Sequence, residues 1–234
     1  MPEKCNPYDR GPYHWFLPYF YARKHEQPLR WIEEHLQSGD LVLDLGCGDG
    51  RHAALLAPRV KAVVGLDHQQ LPLQYARLLL AGSHVALSRG DGARLPFRSG
   101  QFGGVVCLDV VEHLPQAKAG LLLGEIRRVL RAGGWALIST PNRQSLYNRI
   151  WGHRLSQKHY FEYSLDELCS AVTDAGLQVE ARSGIYLPPL FLRPYLEHYA
   201  SVFPVKHVFR WLIGAGAWMP QWSETILVLA RAVT

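Results

Sequence analysis

Between Asp40 and about Gly184, short apolar or β-branched runs alternate with helical patterns. This is the signature of a parallel sheet covered by helices on both faces. Strands are expected at Leu41 to Leu45, Ala62 to Leu66, His84 to Ser88, Val105 to Leu108, Trp135 to Ser139 and Leu177 to Ala181. Helices are expected near Arg51 to Ala57, Gln70 to Ala81, Gln116 to Leu130 and Leu165 to Ala175. Ser164 and Glu167 open the last of these as a capping box, in which each side chain satisfies the other residue's free amide. Thr225 to Ala232 reads as a final strand.

Four stretches follow from this pattern. Residues 1–39 carry a Pro- and aromatic-rich segment, including His14 and Trp15, and then a helix near His25 to Leu36 that Ser38 and Gly39 end. Residues 40–184 form the sheet core, residues 185–223 interrupt the alternation with Pro188, Pro189, Trp211, Trp218 and Trp222, and residues 224–234 return to the sheet. At 234 residues and 48% hydrophobic content, a disordered tail protein or a collagen-like fibre is excluded. The net charge of +5 comes from scattered Lys and Arg with no dense run, so it argues little for nucleic acid. Cys5, Cys47, Cys107 and Cys169 lie far apart, which suggests neither a disulfide framework nor a metal site and fits a reducing cytoplasm. The first residues lack the basic start and apolar stretch of a secretory signal, and the longest apolar run, Trp211 to Met219, is about half a bilayer span.

The first strand runs into Gly46, Cys47, Gly48, Asp49, Gly50, with a helix starting near Arg51. Glycines let the backbone approach a ligand closely, and a helix N-terminus offers free amide donors. The dinucleotide fingerprint needs a third glycine where Arg51 stands, and Asp44 at the strand end would repel a pyrophosphate. A carboxylate there suits the ammonium of an amino-acid head. Asp67, about twenty residues on, sits where an acid accepts from ribose hydroxyls. Asp91 ends the third strand, where it can accept from an adenine amino group, and Asp109 ends the fourth as a turn former or wall.

These residues resemble the class I S-adenosylmethionine-dependent methyltransferases, in particular the "type 11" and ubiquinone-pathway branch. The resemblance covers roughly Asp40 to Gly184 and the last strand. It rests on Val42 to Gly50, on Asp67, on Gly90, Asp91 and Gly92 with Leu95, Pro96 and Phe97, and on three later blocks. Those blocks are Val110 to Leu114, Leu130 with Gly133 and Gly134, and Ile138 to Asn142. It implies a Rossmann-like α/β fold: a seven-stranded, mostly parallel sheet with an antiparallel last strand, helices on both faces and a helical insertion before that strand. It further implies that S-adenosylmethionine lies over the first four strands, leaving S-adenosylhomocysteine as product. Gly46, Gly48 and Gly50 would line the methionine and ribose, Asp67 the ribose hydroxyls, Asp91 and Gly92 the adenine, and Asp109 with Val110 the floor. Asp44, Cys47 and His68 complete the implied cofactor set. Gly103 departs from the family, which commonly has Asp after Phe102; this is expected to loosen the turn into the fourth strand.

The methyl of a sulfonium is already activated, so its transfer to an O, N or C nucleophile chiefly needs positioning, with a base where the acceptor must lose a proton. The resemblance places His159 at the substrate side as a candidate base or, equally, a structural residue; His113, Tyr160 and Glu162 also overhang the strand ends, and His113 reads as packing ahead of catalysis. Tyr160, Phe161 and Tyr163 shape a wall, with Tyr160 a candidate substrate contact, while Cys107 reads as strand core. His14 and Trp15 fit a lid over the pocket, or an aromatic packing segment. In the insertion, Val202, Val205, Phe209, Leu212 and Ile213 approximate an apolar helical face, with Lys206, His207 and Arg210 largely elsewhere. It is expected to cap substrate or make a dimer contact, the alternative being a membrane surface or a lipid-like acceptor. No Pro-Pro-aromatic signature follows the fourth strand and no nucleic-acid module is appended, so a small or lipid-linked acceptor is expected, with no nucleic-acid partner and a monomer or homodimer. Two rival readings remain: a non-catalytic S-adenosylmethionine-binding protein, and a nicotinamide oxidoreductase.

Overall fold

A computed structural model describes residues 28–31, 33–187, 211–212 and 214–233. The elements are β1 (Leu41–Leu45), α1 (Arg51–Leu56), β2 (Ala62–Asp67), α2 (Gln70–Leu79), β3 (Val85–Arg89), β4 (Phe102–Leu108), α3 (Gln116–Val129), β5 (Leu130–Pro141), α4 (Leu146–Trp151), α5 (Leu165–Asp174), β6 (Leu177–Ile185) and β7 (Thr225–Ala232). The strands form one seven-stranded sheet in the order β3-β2-β1-β4-β5-β7-β6. β7 pairs antiparallel with both β5 and β6, and the pairs among β1 to β5 are parallel.

Strand order reverses between β1 and β4, and a crevice opens beyond the carboxyl ends of strands at such a point. The near-continuous apolar runs of the central strands reflect burial on both faces. Leu43 and Leu45 of β1 join one core cluster with Ala119, Leu122, Ile126 and Val129 of α3 and Leu168 and Val172 of α5. Val42 points to the other cluster, with Ala53 and Leu56 of α1 and Ala76 of α2. The α3 residues recur at helical spacing and turn one stripe to the sheet.

Boundaries differ from the sequence pattern where tertiary contacts take over. β5 begins at Leu130, because Leu130 pairs with Phe102 ahead of a register shift in β4. α4 escapes the pattern: it is six residues long and starts from Ser145, whose hydroxyl accepts from Asn148 N at 3.3 Å. The expected helix does not run to Leu36: residues 28–31 are helical, Glu33–His35 form a 3-10 turn, and Asp40 N donates to Gln37 O at 2.9 Å. The capping box of α5 forms as expected, Ser164 and Glu167 each bonding the other's backbone amide. Gly103 does not loosen a turn. It lies inside β4, and a Cβ there would sit 2.3 Å from Oδ1 of Asp40, a carboxylate that Arg131 Nη2 holds at 3.0 Å. The Asp40 carboxylate, just ahead of β1, fills the space a side chain at 103 would need.

Residues 1–27, with the expected lid and its His14 and Trp15, lie outside the described residues, as do Val202, Val205, Lys206, His207 and Phe209 of the expected insertion helix, together with Arg210. Leu212 is buried against the second core cluster, and a 3-10 turn at Pro220–Trp222 leads back to β7. Among the described residues, no helix is long and apolar enough to cross a membrane.

Candidate active site

The loop after β1 holds Gly46, Gly48 and Gly50 at φ of 75°, 52° and 84°. These are left-handed values that side chains with a Cβ adopt at a cost. The three glycines differ in what surrounds them. A Cβ on Gly46 would meet Val110 Cγ2 at 2.4 Å and one on Gly50 would meet Leu80 Cδ1 at 2.7 Å, whereas Gly48 faces open space. Gly46 therefore seats on the Val110 floor, and the Gly48 backbone borders the crevice.

Asp44, at the end of β1, is 1% exposed, and its Oδ2 has no hydrogen-bond partner among the described residues. Burial pushes its pKa up to about 7 against the opposing hydrogen bond of the Ala53 backbone, with the Asp67 and Asp49 carboxylates adding to the rise. A buried carboxylate left unsatisfied asks for a cationic partner. Asp67, ending β2, is already oriented: Oδ2 accepts from Gly48 N at 3.0 Å and Oδ1 from Gln69 N at 2.8 Å. Each carboxylate oxygen retains capacity for a further donor, which is what a pair of vicinal hydroxyls needs. His68 stands at the rim, its side chain 72% exposed and 3.6 Å from Asp67.

Asp91 is exposed beyond β3 and accepts from Ala93 N at 2.9 Å, while Gly92 packs where a Cβ would reach Leu122 at 2.9 Å. Asp109, at φ 53°, accepts from Ser139 Oγ through its carboxylate at 3.0 Å, and Val110 rather than Asp109 precedes the next helical turn. The Cys47 side chain packs towards Gly65, and burial with the nearby Asp44 and Asp67 charges pushes its thiol up. Cys107 is strand core, fully buried.

A second group assembles beyond β4 and β5. Glu112 is buried, with Oε2 accepting from Thr140 Oγ1 at 3.1 Å. His113 lies beside it; its Nδ1 is 3.0 Å from Lys158 O and its ring stands edge-on to His159, 4.9 Å between centroids. His159 Nδ1 is 2.6 Å from Glu162 Oε1, and His153 Nε2 is 2.7 Å from Glu162 Oε2. Burial pushes the Glu162 carboxyl upward, but the hydrogen bonds from His153 and His159 outweigh it and hold the group below the usual carboxylate range. Tyr160 is not part of a packed wall: it is 66% exposed, with Tyr160 N donating to Glu112 O at 2.8 Å. Phe161 and Tyr163 do stack edge-to-face at 5.0 Å, with the Arg143 guanidinium over Phe161.

Sequence reasoning named Asp44, Asp67, Asp91, His113 and His159 and missed the parts played by Glu112, Thr140 and His153. Glu112, His113 and His159 offer ligand atoms within 4.8 Å of one another, a set of the kind that can hold a divalent ion. No local spacing announces it, because the residues come from the loops after two different strands.

A methyltransferase-domain family matches residues 42–134. A ubiquinone biosynthesis O-methyltransferase of Pseudomonas paraeruginosa is 32% identical over 182 residues, covering 70% of this chain and 76% of its own. A probable S-adenosylmethionine-dependent methyltransferase of Mycolicibacterium smegmatis is 33% identical over 168 residues, 71% of this chain; the match spans 63% of that relative's length. Among solved structures, a putative methyltransferase from Bacillus halodurans superimposes with a TM-score of 0.63 at 22% identity, covering 90% of this chain and 99% of that one. A geranyl diphosphate methyltransferase solved in complex with S-adenosylmethionine gives 0.62 at 20% identity, covering 97% and 93%. The glycine loop, the unsatisfied Asp44 and the oriented Asp67 fit the ammonium and ribose of that cofactor, and with these likenesses the chain belongs to the S-adenosylmethionine-dependent methyltransferases, S-adenosylmethionine being its cofactor.

Proposed function

We propose that this chain methylates an oxygen nucleophile of a small or lipid-linked acceptor, with His159 as the base that takes the acceptor's proton. The observation that carries this reading is the 2.6 Å contact of His159 Nδ1 with a buried carboxylate; with Nδ1–H as the donor in that contact, Nε2 carries the lone pair of the ring. When bound, S-adenosylmethionine supplies an electrophilic methyl group for in-line displacement. Asp44 holds the cofactor's ammonium, Asp67 its ribose hydroxyls, and the Gly48 backbone allows close approach. Asp91 and Gly92 take the adenine end, and Asp109 and Val110 form the floor. Tyr160, exposed beside the histidines, contacts the acceptor.

Exposed Trp151, Leu155, Trp211, Trp218 and Met219 support an acceptor with an apolar body and a peripheral contact with the cytoplasmic face of a membrane. The O-methyltransferases of ubiquinone biosynthesis among the relatives support the same class. The remaining partner expectations, a monomer or homodimer and no nucleic acid, belong to this reading.

The test is methyl transfer from radiolabelled S-adenosylmethionine to a panel of phenols and alcohols with and without prenyl tails. His159→Ala is expected to lower turnover by roughly 10²–10⁴-fold while leaving cofactor affinity unchanged. Undiminished turnover, or equal loss of turnover and affinity, contradicts the base.

A further inference from the structure

Glu162 is a buried carboxylate with an imidazole on each oxygen: His159 Nδ1 at 2.6 Å on Oε1 and His153 Nε2 at 2.7 Å on Oε2. Neither histidine is fully exposed, the side chains being 15% and 27% accessible. Nothing in the motifs of the cofactor cradle explains this arrangement, and it ties the chain following α4 back to the residues just before α5. Ser156 N approaches the same Oε1 at 3.5 Å, and His113 Nδ1 meets Lys158 O at 3.0 Å.

We infer that Glu162 and His153 are positioning residues that lock His159 in the Nδ1–H tautomer, so that Nε2 presents an unprotonated lone pair to the acceptor. This rests on the reading of His159 as the base. An ionised carboxylate only accepts hydrogen bonds. Both ring nitrogens facing Glu162 must therefore carry hydrogen, which makes the neutral His159 an Nδ1–H tautomer and the neutral His153 an Nε2–H tautomer. The held-down Glu162 carboxyl is consistent with that ionised state. His153 does not touch the acceptor; by occupying Oε2 it fixes the carboxylate plane, and with it the orientation of the His159 ring. In the reaction the acceptor O–H proton passes to Nε2, the oxygen's electron pair forms the O–C bond, and the C–S bond breaks with its pair on sulfur. Glu162 stays a carboxylate throughout and stabilises the imidazolium through Nδ1–H, which later loses its Nε2 proton to solvent.

The experiment is two-bond ¹H–¹⁵N correlation NMR of the full chain labelled at the histidine rings, at about pH 9, above the ordinary imidazole range. His159→Asn and His153→Asn spectra assign the two rings. The native protein should show His159 as Nδ1–H and His153 as Nε2–H, opposite tautomers set by one carboxylate. Gln at 162 offers one acceptor oxygen and one donor NH₂, so in Glu162→Gln at least one of the two rings should switch tautomer. In Glu162→Ala the Nδ1–H preference of His159 should be lost. Titration with S-adenosylhomocysteine, expected unchanged, reports that each variant is folded. A native His159 in the Nε2–H form, or both rings unmoved in folded Glu162→Gln, overturns the inference. The tautomers are read without any acceptor, so failure of the base itself, seen as full methyl transfer by His159→Ala, is scored separately.

Discussion

At the residue scale, the proposed ammonium site at Asp44 would couple cofactor binding to pH. Its carboxyl has an ordinary value of 3.8 and is raised to about 7 in the folded chain. Between those values the folded Asp44 keeps its proton while the unfolded one has lost it, so this group's contribution to stability falls as pH rises from about 4 to 7. The ammonium of the cofactor needs the ionised form. Calorimetric titration with S-adenosylmethionine should therefore show affinity rising with pH, by up to about tenfold per unit, and levelling above pH 7. Asp44→Asn should bind weakly at every pH and lose that slope; an unchanged slope removes Asp44 from the ammonium site. Asp67→Ala should weaken binding by about 1–3 kcal/mol, the cost of a hydrogen bond to a charged group, and unaltered affinity would falsify the ribose assignment. Both acids were legible because each follows an apolar run and precedes a turn or helix. His153 was not, because its significance lies in a carboxylate nine residues away that no periodicity links to it.

At the element scale, the loop after β1 and the start of α5 make contrasting demands. Gly48 has a left-handed φ of 52° and open space before it, so Gly48→Val strains the turn and fills the crevice without striking the core. Cofactor binding should be lost while circular dichroism and cooperative melting persist; normal binding would move the cradle elsewhere. Ser164→Ala removes one arm of a formed capping box and should cost about 0.5–2 kcal/mol of stability with cofactor affinity intact. A variant as stable as the native chain would mean α5 is held by packing alone. The alternation of runs made β1, β2, α3 and α5 readable, since both faces of the central strands are buried and α3 turns one stripe inward, whereas β4 starts at Phe102, ahead of the expected Val105. α4 was unreadable because six residues carry too little periodicity, and the start of β5 because its pairing with Phe102 is a long-range event.

At the scale of the whole molecule, the reversal of strand order between β1 and β4 brings the ends of those strands, and the loops after β4 and β5, to one carboxyl edge. The same edge therefore carries the glycine loop with Asp44 and Asp67, and the His153–Glu162–His159 group. That topology was implied by a family resemblance, and the sheet has the expected seven strands with a reversed β7. The electrostatics of Asp44 and the double clamp on Glu162 required three dimensions, because burial and cross-loop contacts create them. A methyl donor held by Asp44, Asp67 and the glycine loop is tested by parallel isothermal titration with S-adenosylmethionine, S-adenosylhomocysteine and NAD. The first two should bind, Asp67→Ala should weaken both, and NAD should not bind; binding of NAD alone would overturn that assignment.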